Sequence, residues 1–381
     1  MCCGVHAQDK PGAQGNIHLG ALQIHPLFSM SESYDSNIFD VPDSEVSDLI
    51  TIYSPGLNLS LPIRGMRSEL NVGYISNFND YRENPDQSTL NQYIAASFKT
   101  AFPRGLGISL NNRFEDTEQP PTFDAIYGEL IQRTRRKSNN FSTTVNLPQY
   151  FARFDTDLHY ANSDNTYEGY EGADYTEHEI GALLRYKLFT KLYTLVEFNT
   201  GRTSYETGVL DSVFYESLAG IQFKETAKTT GIFKIGYRVR DYENKDYDQF
   251  QGVQLSLESR TQLTALTNIS VLLRRSQEEA LFTAGKNYYE LNSLSVTLGR
   301  KLTRKIDSNI SGYCQLLDFP AAREGESDIK YYTIGARFSV DYRIQKWLSA
   351  NLSCWYDDRT SSSDNLGRKK NVVAFTIGAA F

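Results

Sequence analysis

Val373-Ala-Phe375-Thr-Ile377-Gly-Ala379-Ala-Phe381 ends the chain with Val373, Phe375, Ile377, Ala379 and Phe381 at alternate positions and only small or polar residues between them. Successive side chains of a strand point to opposite faces, so a period of two gives this segment one apolar face and one small, polar face. The same period recurs upstream in Leu70-Asn-Val72-Gly-Tyr74, Leu106-Gly-Ile108-Ser-Leu110 and Phe141-Ser-Thr143-Thr-Val145-Asn-Leu147. It returns in Ile334-Gly-Ala336-Arg-Phe338-Ser-Val340-Asp-Tyr342, and it holds over most of the chain after about Leu22. The class is all-β.

Alternation alone would also suit a sandwich, so the connections decide. Short ones read as Pro62–Met66, Phe102–Gly105, Pro148–Tyr150, Thr190–Lys191, Thr226–Lys228, Gln262–Leu266, Thr303–Lys305 and Ile344–Lys346. Between them fall long, polar ones: Asp35–Val46, Tyr81–Ser88, Thr117–Gln132, Asp164–Asp174, Glu206–Asp211, Glu243–Asp248, Gln277–Asn287, Asp318–Asp328 and Asp358–Lys369. Short turns on one rim and long loops on the other, with an even strand count, are the mark of a transmembrane antiparallel up-and-down β-barrel. The count predicts about eighteen strands, with sixteen as the alternative, and both termini on the short-turn rim. Residues 1–20 then form a short periplasmic tip and 21–381 the barrel. No run approaches the ~18 apolar residues of a membrane helix. The 25 Tyr and 21 Phe, at a mean hydropathy of -0.46, fit faces where apolar and polar residues alternate.

Met1-Cys-Cys-Gly-Val-His-Ala-Gln8 reads as the remnant of a secretory signal, with small residues at Val5 and Ala7 but no charged region or apolar core. Cys2, Cys3, Cys314 and Cys354 have no metal-ligand spacing and imply no disulfide framework. A net charge of -7 without a basic stripe excludes nucleic acid as a general partner. No G-x-S-x-G, H-E-x-x-H or phosphate-binding glycine loop is present, so no enzyme and no cofactor is expected. The one constellation worth naming is His159 and His178, with Asp157 and Glu177 beside them.

Charge on a lipid face costs about 2–4 kcal/mol for Arg or Lys at mid-bilayer, so the polar faces must line the lumen. This makes Arg113, Arg136, Arg185, Arg238, Arg274 and Arg337 candidate pore-lining residues, opposed by Glu115, Asp157, Glu197, Glu216 and Glu258. Tyr81, Tyr160, Tyr175, Tyr205, Tyr242, Tyr288, Tyr289, Tyr331 and Tyr356 stand where strands meet long loops, and predict an aromatic girdle at the headgroups. Phe102, Phe151, Phe189 and Trp347 would form the girdle at the short turns. A final alternating strand ending in Phe381 resembles the assembly signal that outer-membrane proteins present to the barrel-insertion machinery. In a soluble protein it would be an exposed apolar edge. The expected surroundings are outer-membrane lipid and lipopolysaccharide.

Tyr34-Asp35-Ser36-Asn37-Ile38-Phe39, Ser54-Pro55-Gly56-Leu57 and the segment Leu70 to Tyr81 together resemble the Putative beta-barrel porin 2 family. The resemblance implies an outer-membrane barrel linked to exopolysaccharide production and export, with polysaccharide-export components as partners. It brings no catalytic residues. The expected function is passage of polar solutes through a water-filled pore. Alternatives are a general or sugar-selective uptake porin, and a non-conducting docking barrel.

Overall fold

The computed structural model describes residues 17–63, 67–119, 134–151, 153–169, 171–223, 228–279, 287–320, 328–362 and 367–381. The signal-like N-terminus with Cys2 and Cys3 lies outside them, as do Tyr170, most of the 117–132 connection and parts of several others. A short strand, β1 (Ile17–Leu19), turns back at Gly20, whose φ of 65° favours glycine, and pairs with the start of the next strand. The first nine barrel strands are β2 (Leu22–Asp35), β3 (Asp48–Ile63), β4 (Arg67–Tyr81), β5 (Thr89–Ala101), β6 (Gly107–Gln119), β7 (Thr134–Phe151), β8 (Phe154–Tyr167), β9 (Tyr175–Phe189) and β10 (Leu192–Tyr205). The second nine are β11 (Ser212–Phe223), β12 (Thr229–Tyr242), β13 (Phe250–Thr264), β14 (Thr267–Glu279), β15 (Tyr288–Lys301), β16 (Ile306–Phe319), β17 (Ile329–Arg343), β18 (Leu348–Ser361) and β19 (Arg368–Ala380).

Each strand from β2 to β19 pairs antiparallel with its neighbours, and β19 closes on β2 from Val372 opposite Asp35 to Ala380 opposite Leu27. The result is a closed barrel of eighteen strands, the higher of the two expected counts. Closure matters physically, because a backbone crossing hydrocarbon must satisfy its N–H and C=O groups internally and cannot leave a sheet edge. The residue period does the rest. In β17, Tyr332, Ile334, Ala336, Phe338, Val340 and Tyr342 share one face, and four of them are exposed large apolar groups. Their register partners Cys354, Leu352 and Ala350 on β18, and Val373, Phe375 and Ile377 on β19, continue the same outward belt.

Two expectations need correction. Pro148–Tyr150 is not a turn: β7 runs through it to Phe151, and the reversal comes before Phe154. Proline gives the ladder no N–H and its ring fixes φ, so it sits in a strand where the register is already irregular, as it is between Pro148 and Phe151. The second concerns the tyrosines at the long-loop rim. Tyr81, Tyr205, Tyr242 and Tyr331 are only 0–5 % exposed, so protein covers them and neither headgroups nor water do. Tyr81 packs with Ile38 and Ile50, and Tyr331 with Phe319, against which Tyr289 and Ile329 lie. Tyr175 and Tyr205 face each other across β9 and β10 with ring centroids 5.5 Å apart. These rings fill the inside of the mouth, while Tyr356 is exposed on the outward face. At the short-turn rim Phe102, Phe189 and Trp347 are exposed as expected.

Candidate functional site

Register fixes which side chains share the inside. Opposite residues of an antiparallel pair point the same way, so the inward set can be followed strand to strand from Glu115 through Ser138 to the far side of the barrel. By this parity all eleven pore-lining candidates stand on the face opposite the apolar belt. The structure then divides them. Arg113 contacts Glu115, which also faces Arg136 at 3.6 Å. Arg185 meets Asp157 at 2.6 Å, and Asn146 donates to the same carboxylate. Arg238 meets Glu216 at 3.1 Å, and the Asn199 amide donates to Glu216 at 2.9 Å and Glu197 at 3.2 Å. Lys234 of β12 reaches Glu197 of β10 at 2.5 Å across the intervening strand, a contact that side chains converging inside a barrel can make. Arg274 pairs along its own strand with Glu278 at 2.6 Å.

Glu258 and Arg337 differ. Neither has an ion-pair partner among the described residues; Arg337 instead lies over the Trp355 ring, 5.1 Å from its centroid. Around β9 to β12 the inner wall is densely packed: Leu195, Thr203, Phe214 and Arg240 are nearly inaccessible. Arg240 donates to Thr203 and Ser212 at 3.1 Å, and Arg238 and Arg240 stack on Phe214. From β17 round to β5 the inward positions include Ser339, Ser353, Thr376, Ser31, Asn58, Asn71 and Ser97, and Thr376 donates to or accepts from Ser31 at 2.8 Å. Between the charges Arg337, Asp357, Lys370 and Asp35, this sector offers uncharged hydroxyls and amides to whatever occupies the lumen.

A charged cluster at the barrel seam carries little mark in the sequence. The connection after β2 folds inward, burying Asn37, Ile38 and Asp40. Asp40, at φ 54°, contacts Arg368 and accepts from Lys370 Nζ at 3.0 Å. Lys370 also meets Asp35 at 2.8 Å, and Arg368 meets Asp357 at 2.9 Å. Asn37 donates to the Lys369 carbonyl at 3.2 Å, tying the loop to the last strand. Inward parity could have singled out Asp35 and Lys370; nothing in the sequence marks Asp40, which sits in a loop without a period.

His159 and His178 do not form one site. His159 points inward, 3.2 Å from Glu179, and His178 points outward, 3.0 Å from the Tyr160 hydroxyl. Adjacent-parity positions put the backbone of the sheet between them. No cluster of His, Cys, Asp and Glu suited to a metal ion occurs among the described residues. The Phe381 ring stacks on Trp347 at 5.6 Å, and its N–H bonds the Pro26 carbonyl at 3.0 Å.

A closed eighteen-strand barrel with an apolar outside and a polar inside defines a porin-like, integral outer-membrane β-barrel. The chain belongs to the Putative beta-barrel porin 2 family, whose model matches residues 10–381. In fold it is similar to the outer membrane protein opdK of Pseudomonas aeruginosa, at 10 % identity and a TM-score of 0.51, covering 94 % of this chain and 99 % of that one. It is likewise similar to OccAB4 of Acinetobacter baumannii, at 11 % identity and a TM-score of 0.50, covering 94 % and 98 %. No protein of curated function matches the sequence.

Proposed function

We propose that the protein is a water-filled pore for polar solutes, associated with export of an exopolysaccharide or related envelope polymer. In this reading the long loops face outside and both termini face the periplasm. The observation that carries it is the inward wall, which is polar around most of the closed circumference and includes Glu258 and Arg337, two charges with no ion-pair partner among the described residues. Barrels of about 16–18 strands leave an aqueous channel. The hydroxyls and amides that stand among the charges from β17 to β5 suit a hydroxyl-rich solute, and Trp355, a half-buried aromatic on the inward face, suits a sugar face. The link to a polymer rests on the family resemblance, and polysaccharide-export components and the insertion machinery are its proposed partners.

The test is single-channel recording in a planar bilayer. The native protein is expected to conduct in discrete steps. Arg337→Glu should shift ion preference toward cations, because it reverses a fixed charge in a confined, weakly screened space. Leu257→Ala, on the lipid face, should leave preference unchanged. A native protein that inserts but never conducts would overturn the pore in favour of a docking barrel.

A further inference from the structure

We propose that the outward face of β6 to β10 holds one acylated glycolipid of the outer leaflet, an acyl chain lying in a groove and the sugar and ester groups on a polar patch above it. The outer-leaflet assignment rests on the orientation proposed above. The groove has a volume near 420 Å³ and is lined by Val145, Leu158, Ile180 and Phe198, with Thr143 and Ala182 as its small residues. The groove is open along one side, which suits an acyl chain lying along the barrel wall. Register places all six outward, Val145, Leu158, Ala182 and Phe198 forming one row and Thr143 and Ile180 flanking Tyr160 in the next.

One step nearer the long-loop rim the outward positions turn polar. Asn162 stands opposite His178, and both lie against Tyr160, whose hydroxyl is 3.0 Å from the His178 ring. Asn112 donates to Asn139 at 2.9 Å on the neighbouring strands. By contrast, β17 on another side of the barrel keeps its outward positions free of charge and amide from Tyr332 to Tyr342. Amides and imidazole have donors and acceptors left over after these internal bonds, and leaving them in hydrocarbon is unfavourable. Sugar hydroxyls and ester carbonyls would satisfy them. Lys137, exposed two positions beyond Asn139, stands opposite Asp116, whose carboxylate is already held by Arg135, and this leaves the ammonium placed to meet a phosphate.

The vertical order, apolar groove below and hydrogen-bonding patch above, is the order of a lipid molecule. A second copy of the barrel fits less well, since outward faces such as β17 to β19 would set apolar side chains against the amides.

The experiment is native mass spectrometry of the full chain in mild detergent, titrated with purified lipopolysaccharide or with phosphatidylethanolamine. The expected result is one lipopolysaccharide per barrel. Ala182→Phe, which fills the groove, should weaken it at least about tenfold, and Ala336→Phe on β17 should not. Asn162→Ala with His178→Ala should also weaken it, and this pair decides the matter if Ala182→Phe fails to fold. Equal binding by native and altered proteins, or phosphatidylethanolamine held as tightly as lipopolysaccharide, would overturn the proposal. So would barrel dimers in the native protein that Ala182→Phe abolishes, which would make the occupant a second copy. Orientation is read separately by surface tags, so an inverted barrel is distinguishable from an empty groove.

Discussion

Replacing Asp40 by alanine should loosen the barrel at its seam. Asp40 is 2 % exposed and holds two cations, Lys370 at 3.0 Å and Arg368 in direct contact. Each cation keeps one other acid, Asp35 for Lys370 and Asp357 for Arg368. Removing one partner of a buried ion pair costs about 3–5 kcal/mol, because the remaining charge stays desolvated. Retention of one partner apiece puts Asp40→Ala at the lower end, about 3 kcal/mol. Lys370→Met removes one of the stranded charges, so in the double variant the two costs should not add. A coupling of about 1–3 kcal/mol is expected for side chains in one ion-pair network. The assay is equilibrium unfolding in urea of barrels refolded in detergent, read by the electrophoretic shift between folded and unfolded forms. Hydrogen exchange across residues 36–47 should rise in parallel, since the loop loses its anchor. An Asp40→Ala protein with the native midpoint, or a double variant whose loss equals the sum of the singles, would refute the clasp.

Two further outcomes follow from the topology. An epitope placed after Gly169 should be reachable on intact cells and one at Gly105 should not, and the reverse pattern would show the barrel inverted. Deleting Phe381 removes the ring stacked on Trp347 and the bond to Pro26, and should slow assembly into the outer membrane without changing synthesis. Normal surface levels of that variant would count against the assembly-signal reading.

The sequence alone determined the all-β class, the two rims and the face on which each candidate charge stands, and it narrowed the strand count to eighteen or sixteen, which the closure of β19 on β2 settled at eighteen. The physical reason is that strand geometry has a period of two, and that hydrocarbon tolerates only one kind of face. Every one of these conclusions is local or depends on counting. Partners were a different matter. Arg238 and Arg337 read alike in sequence, each an arginine amid alternating apolar residues, yet Glu216 neutralises one and Trp355 underlies the other. Which case applies depends on the register of the adjacent strand, and a shift of one residue would exchange the faces. The rim tyrosines show the same limit. Tyr331 and Tyr356 both stand near the long-loop rim, but Tyr331 fills the inner mouth and Tyr356 is exposed on the outside. Asp40 lies furthest from legibility. Its loop has no period, and its partners Arg368 and Lys370 come from the opposite end of the chain, brought beside it only when β19 closes on β2.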